Sequence, residues 1–294
     1  MLASSISRRL LKNKIKVKKF SLFLLFCSFS FGIHAQSGFE AGGWIGISNY
    51  FGDLNTNFRM NKSGPAGGLG LRYNFNNRVC LRVGANAGVV EATDADSDNL
   101  FERTRNLSFK SKIADASLLL EFNFLPYDHG SRDNFWTPYI FAGFGATKFD
   151  PMAKIDNEWV ELRPLGTEGQ FKGEEYSLVA GHWAYGAGFK IDLNFEWSLN
   201  IEVSGRRLGT DYLDDVSTSY PDLEDLSFLH GDVAVRLSDR SVELLDSPLF
   251  IENNINQPIG TEGRQRGNSR TKDSYIYIGV GIMYYFGDLR CPYD

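Results

Sequence analysis

The sequence is poor in the residues that carry most chemistry. It holds three cysteines and four histidines in 294 residues. Only Cys80 and Cys291 fall after residue 35, too few for a disulfide scaffold or a cysteine-built zinc site. His129, His182 and His230 are scattered and share no motif with a nucleophile, so acid–base or nucleophilic catalysis has no supporting pattern. No glycine-rich phosphate loop occurs. A basic excess is also missing. Residues 1–35 take seven of the 31 Lys/Arg and none of the 36 Asp/Glu, leaving 24 basic against 36 acidic residues and a charge of −12. Nucleic-acid binding would call for a basic face. Beyond residue 35 no apolar run reaches the about 20 residues of a membrane-spanning helix.

The first 35 residues have the anatomy of a secretory signal. Arg8, Arg9, Lys12, Lys14, Lys16, Lys18 and Lys19 precede the uncharged apolar run Phe20–Ile33, and Ala35 supplies a small residue before Gln36. Phe26 stands where a lipoprotein signal wants a small residue before Cys27. Residues 1–35 are expected to be a signal peptide, and 36–294 one domain.

That domain alternates with period two. In Tyr275–Phe286, Ile276, Ile278, Val280, Ile282, Tyr284 and Phe286 share one face, opposite Tyr275, Tyr277, Gly279, Gly281 and Met283. Glycines and tyrosines suit a narrow lumen, and the aliphatic face suits lipid. Phe39–Tyr50, Ala66–Phe75, Val79–Val90, Ala114–Phe124, Pro138–Lys148, Trp183–Asp192 and Glu196–Arg206 repeat the pattern. Each is about as long as a tilted membrane strand. Connections alternate between short (Asn76–Arg78 and Leu193–Phe195, with Leu125–Thr137 intermediate and Pro/Gly-marked) and long (Phe51–Pro65, Glu91–Ile113, Phe149–His182, Arg207–Ser274). Together these predict an all-β fold, an eight-stranded antiparallel barrel in the cell outer membrane with lipid as its surroundings and long extracellular loops. A soluble sandwich is the competitor, but its polar face would be richer in Lys, Thr and Asp. Glu158–Arg163 or Val233–Leu237 would supply further strands above the membrane. Asp222–Leu245 predicts one or two short helices over the barrel mouth, and the polar stretch Asn253–Arg270 a mobile one.

Eight strands enclose only side chains. Glu40, Arg72, Arg82, Glu121, Lys190, Glu196, Glu202 and Arg206 share the inward parity, and charges in a dry interior must pair. An ion network that plugs the barrel is expected, with an open conduit as its rival. Asp94, Asp96, Asp98 and Asn99 look like the start of a calcium loop, but Asn99 replaces the needed glycine and Arg105 the bidentate glutamate, so a solvated acidic loop is expected. Asp211, Asp214 and Asp215 form a second acidic cluster, read as helix capping rather than metal binding. Catalytic, cofactor and metal residues are expected to be absent. Cys80 starts the third strand and Cys291 follows the eighth, so both approach the periplasmic rim and a disulfide between them is possible if their Cα atoms come within about 7 Å.

Four phrases stand out: Asn49–Leu54 (NYFGDL, with Tyr50, Phe51, Gly52, Asp53 and Leu54), Arg163–Gln170 (RPLGTEGQ), Thr210–Ser217 (TDYLDDVS, with Asp211, Tyr212, Asp214 and Asp215) and Tyr285–Leu289 (YFGDL). In that order they resemble the PorG family, an outer-membrane barrel component of the type IX secretion system of Bacteroidetes. The resemblance covers essentially all of the chain after residue 35. It implies a non-catalytic role in protein export and gliding, with PorK-like and PorN-like periplasmic ring proteins as partners and no small-molecule substrate. It carries over no catalytic residue. A generic small barrel with adhesive or receptor loops is the alternative. Tyr127–Phe135 and Gly287–Asp294, both periplasmic, are the expected docking segments.

Overall fold

A computed structural model describes residues 37–287. The expected signal peptide, Cys291 and nearly all of the tail lie outside the described residues. The strands are β1 (Gly38–Phe51), β2 (Gly64–Asn74), β3 (Val79–Thr93), β4 (Ser108–Asn123), β5 (Trp136–Ile155), β6 (Glu158–Glu161), β7 (Val179–Asp192), β8 (Trp197–Leu208) and β9 (Ser274–Tyr285). They run β4-β3-β2-β1-β9-β8-β7-β5, and β4 pairs with β5 to close the cylinder. All pairings are antiparallel. Closure satisfies every ladder without leaving an edge to lipid, as a membrane-embedded sheet requires. The short β6 lies outside this ring and pairs only with the end of β5. Asp156 and Asn157, both at positive φ (49° and 68°), make its tight turn.

Exposure follows the expected parity. Ile45, Leu69, Leu71, Val83, Leu120, Phe144, Trp183, Ile201, Val203 and Val280 face outward and are exposed, while Glu40, Arg72, Glu121 and Lys190 are fully buried inside. Phe39, Phe75, Phe124, Trp136, Phe195, Trp197 and Phe286 lie near the short-turn end of the strands and are also exposed. This aromatic belt below an aliphatic wall is the outer surface of an outer-membrane barrel. Among the described residues no helix is long and apolar enough to cross a membrane.

Inside, large and small residues interlock. Tyr139 sits opposite Gly188 and Phe141 opposite Gly186. A Cβ at Gly186 would lie 2.4 Å from the Phe141 ring, so the glycines make room for the aromatics.

The sheet runs higher than its sequence pattern indicates. β4 begins at Ser108 rather than Ala114, and β5 continues to Ile155 rather than Lys148. The period is unbroken there, but polarity inverts. Below the inversion Asp115, Ser117 and Glu121 point in; above it Phe109, Ile113, Phe149, Ala153 and Ile155 point in and Lys112 and Lys148 point out. That upper rim encloses an ordinary hydrophobic core with Leu54, Leu107, Leu162, Leu213, Val216 and Leu237.

The long loops carry helices α1 (Leu100–Arg105), α2 (Leu223–His230), α3 (Asp232–Ser238) and α4 (Pro248–Glu252). Asn99 caps α1 by accepting from the Phe101 amide, and Asp222 caps α2 by accepting from the Glu224 and Asp225 amides. Gly231, at φ 82°, ends α2. The helices expected in the last loop are present. Val233–Leu237, however, lies within α3 and adds no strand.

Replacing Ile45, 78% exposed at mid-strand, with arginine is expected to cost about 2–4 kcal/mol in a bilayer. Urea unfolding from lipid vesicles measures it; a soluble sheet would tolerate the change.

Candidate functional site

Seven of the eight predicted interior charges meet in the lumen. Glu121 on β4 is the hub: Arg72 Nε, Arg82 Nε and Lys190 Nζ approach its carboxylate at 2.8, 2.7 and 2.7 Å. Arg72 also holds Glu40 at 2.6 Å, and Arg82 holds Glu202 at 2.7 Å. Tyr139 donates to Glu202, and Asn74 to Glu40. Lys190 also donates to Asn123 and reaches the sulfur of buried Cys80 at 3.7 Å. Arg206 stands higher in the barrel, 3.7 Å from Asp115.

Glu196 is the exception. It is exposed in the turn before β8, where its carbonyl accepts from the Tyr285 amide. Strand alternation continues in register through that turn, but the strand starts one residue later. The sequence reading also missed His129. The Leu125–Thr137 connection folds back into the barrel mouth, where Tyr127 and His129 are buried. His129 Nδ1 lies 2.8 Å from Asp192 and Nε2 3.3 Å from Glu40, with its ring stacked on Tyr285. Tyr127 and His129 therefore belong to the plug and are not a free docking surface. The inward parity of Asp192 was the only sequence signal for this contact.

Above this layer Asp115 gathers a second network. It accepts from Tyr277, Tyr275, Asn86 and Ser117 at 2.8, 3.1, 2.9 and 3.1 Å. His182 sits between Ser117 and Thr147 at 3.1 and 2.8 Å. It therefore lies inside the barrel and not at an exposed strand edge. A serine–histidine pair can activate a hydroxyl, but Ser117 and His182 are each only 4% exposed. His230 lies in the extracellular loops, with Nε2 3.0 Å from the Gln170 carbonyl. Between the two networks lies a cavity of about 50 Å³, lined by Gly42, Gly70, Gly84, Gly281, Arg82 and Arg206. It has room for a few waters and is too small for a conduit.

The third layer is extracellular, and here the sequence phrases meet. Tyr50 bonds Asp214 at 2.5 Å and Asp273 at 2.9 Å. A Cβ at Gly52 would fall 2.0 Å from Asp273 Oδ1 and 2.1 Å from the Tyr50 hydroxyl, so that position must be glycine. Leu54 is fully buried; Phe51 stacks on Phe58 and Tyr212 on Tyr176. Asp53 accepts from the Asn268 amide at 2.7 Å. Thr167 and Tyr176 donate to Asp215, while Glu168 accepts from the Ser217 and Thr218 amides.

Asp211, Asp214 and Asp215 thus cap no helix; Asp214 and Asp215 tie loops together, and Asp211 accepts from Ser217 of its own loop. Asp94 is not solvated either. It is fully buried and paired with Arg105 through Nε and Nη2, both at 2.8 Å, so the arginine in the calcium-ligand position is its counter-ion. Arg266, 2% exposed, binds Glu168 at 3.1 Å and the Asp215 carbonyl at 2.6 Å. The stretch Asn253–Arg270 is therefore pinned at its centre, contrary to its polar composition. Among the described residues no group of three or more acidic, histidine or cysteine side chains is arranged to hold a metal.

Comparison with known proteins adds a family. A family model described as Domain of unknown function (DUF6089) matches residues 16–233, more than half of the chain. The chain belongs to the DUF6089 family. No curated protein matches it. Among solved structures it is similar to Neisserial surface protein A, at 8% identity, over 86% of this chain and 100% of that one (TM-score 0.41). It is also similar to the outer membrane protein OprG from Pseudomonas aeruginosa, at 13% identity, over 86% and 98% of the two chains (TM-score 0.40). A third is the N-terminal β-barrel domain of Pseudomonas aeruginosa OprF, at 11% identity, over 85% and 100% (TM-score 0.35). The DUF6089 match includes Tyr50, Asp94, Arg105, Glu168 and Asp214 but stops before Arg266, Asp273 and β9.

Burial works against a charged His129, but its bonds to Asp192 and Glu40 outweigh it and raise its pKa. In this DUF6089 barrel the contribution is fully present below about pH 6.5. It is lost as pH rises through the raised value. Urea midpoints between pH 6 and 9 should fall more for the native protein than for His129→Gln. Arg72→Met strands Glu40 and weakens the hold on Glu121, and is expected to cost about 3–5 kcal/mol in the same assay.

Proposed function

We propose that this barrel is a non-catalytic outer-membrane component of type IX protein secretion. It would be exported by its first 35 residues and would anchor or assemble a periplasmic ring of PorK-like and PorN-like proteins for export and gliding. One observation carries most of this reading: the lumen is filled by a self-neutralising charge network from Glu121 to His129. A barrel with no passage does its work at its surfaces. The resemblance of the four phrases to the PorG family supplies the system, and three of those phrases, NYFGDL, RPLGTEGQ and TDYLDDVS, support one another in the extracellular cap.

The periplasmic face offers less for docking than the sequence implies. With Tyr127 and His129 turned inward, the exposed part of that connection is Leu125, Arg132, Asp133, Phe135 and Trp136. The tail beyond Gly287 remains a candidate. A second reading, a barrel with adhesive or receptor loops, is favoured by Phe228, which is 90% exposed on α2.

Deleting the gene in its native host and assaying secretion of proteins with type IX sorting domains separates the two. Loss of secretion, restored by the native gene and by a Phe228→Ser copy, is the expected result. Normal secretion with loss of surface binding in the Phe228→Ser strain would favour the second reading and defeat the first.

A further inference from the structure

The extracellular cap contains a hydrogen-bond count that does not close without an added proton. The Tyr50 hydroxyl has one hydrogen, yet it lies 2.5 Å from Asp214 Oδ2 and 2.9 Å from Asp273 Oδ1. Two ionised carboxylates can only accept, so one of these contacts would face lone pair against lone pair. The remaining oxygens accept backbone amides, Asp214 Oδ1 from Val216 and Asp273 Oδ2 from Leu213. All three side chains are at most 1% exposed.

Among the described residues, the cations that act on this cluster are already engaged. The β1–β2 turn contributes Asp53; the last loop contributes Asp211 and Asp215; the β5–β7 loop contributes Glu168; the β3–β4 loop contributes Asp94. Arg105 is spent on Asp94 and on the Asp53 and Arg266 carbonyls. Arg266 is spent on Glu168 and Asp215. Half-buried Lys272 donates to the Ser269 carbonyl, and its charge bears on Asp211. Seven carboxyl groups thus face three cations.

We propose that the Asp214–Tyr50–Asp273 cluster is a proton-loaded latch that holds the last extracellular loop over the barrel mouth and releases it when the shared proton leaves. In the closed state protonated Asp214 donates to Tyr50, which donates to Asp273. The opposite direction, with the proton on Asp273, is chemically equivalent. The latch joins β1 to residues 211–216 and to the foot of β9, so its failure frees the loop at both ends.

Burial, then the neighbouring Asp273 and Asp53 charges, hold Asp214 well above the ordinary carboxylate range. Burial and Asp211 do the same to Asp273. Asp211 itself is pushed up to about 7, chiefly by burial. A carboxyl whose folded pKa is raised favours the closed form most below its ordinary value near 4. That preference fades as pH rises through the folded value, near 7 for Asp211 and well above the ordinary carboxylate range for the latch pair.

Asp214→Asn isolates the effect. Its amide nitrogen donates to Tyr50 while its oxygen still accepts from Val216, reproducing the protonated carboxyl without the charge. Hydrogen exchange on the full barrel in lipid vesicles, corrected for intrinsic rate, should be followed from pH 5 to 9. The expected result is exchange in residues 210–218 and 264–273 that rises at least tenfold with pH in the native protein, with the barrel strands unchanged. In Asp214→Asn the same segments should stay protected throughout. Tyr50→Phe, which removes the bridge, should expose them even at pH 5. Protection independent of pH in the native protein would overturn the latch. So would an undiminished pH response in a folded Asp214→Asn barrel.

Discussion

The Glu121 carboxylate, shared by Arg72, Arg82 and Lys190, is the interaction on which the rest of the barrel depends. Eight strands make a cylinder too narrow for water to solvate charges. Charges placed there either neutralise one another or destabilise the wall that carries them. Glu121 binds side chains from β2, β3 and β7, so one carboxylate holds strands from both sides of the ring. His129 then closes the periplasmic mouth by completing the coordination of Glu40 and Asp192. Because the plug is built from the wall itself, no separate domain is needed to seal the pore.

The same economy shapes the extracellular end by different means. There the interior turns apolar, and four loops of very different length are tied by buried polar links such as Arg105 to the Asp53 and Arg266 carbonyls of two other loops and Arg266 to Glu168. Arg266 is also bonded to the Asp215 and Ser238 carbonyls of its own loop. Loops that would otherwise cost conformational entropy become one lid.

Much of this was legible from the chain because a two-residue period has little ambiguity. Strand identity, lipid face, closure and seven of the eight interior charges followed from it. The failures have physical causes. Glu196 kept the period but belongs to a turn. The upper reaches of β4 and β5 kept the period while reversing polarity at Ile113–Asp115, so they read as loop. The lid was invisible because its contacts join residues far apart in sequence: Tyr50 and Asp273 are separated by 223 positions, and Glu168 and Arg266 by 98. The acidic residues of Thr210–Ser217 looked like caps or ligands because composition cannot show that Tyr50 and Arg266 come to meet them.

The reversal of polarity along β4 and β5 has a mechanical meaning. Lys148 pairs with Ala114 and Lys112 sits just above it, at the level where Ala114, Ala116, Leu118 and Leu120 begin to face outward. Sinking the barrel by two residues, about 7 Å along a strand, would push both lysines into hydrocarbon. Raising it as far would lift aliphatic side chains into water. The pattern therefore works as a draught line on a hull, fixing how far the lid stands above the lipid and how far the short turns reach into the periplasm.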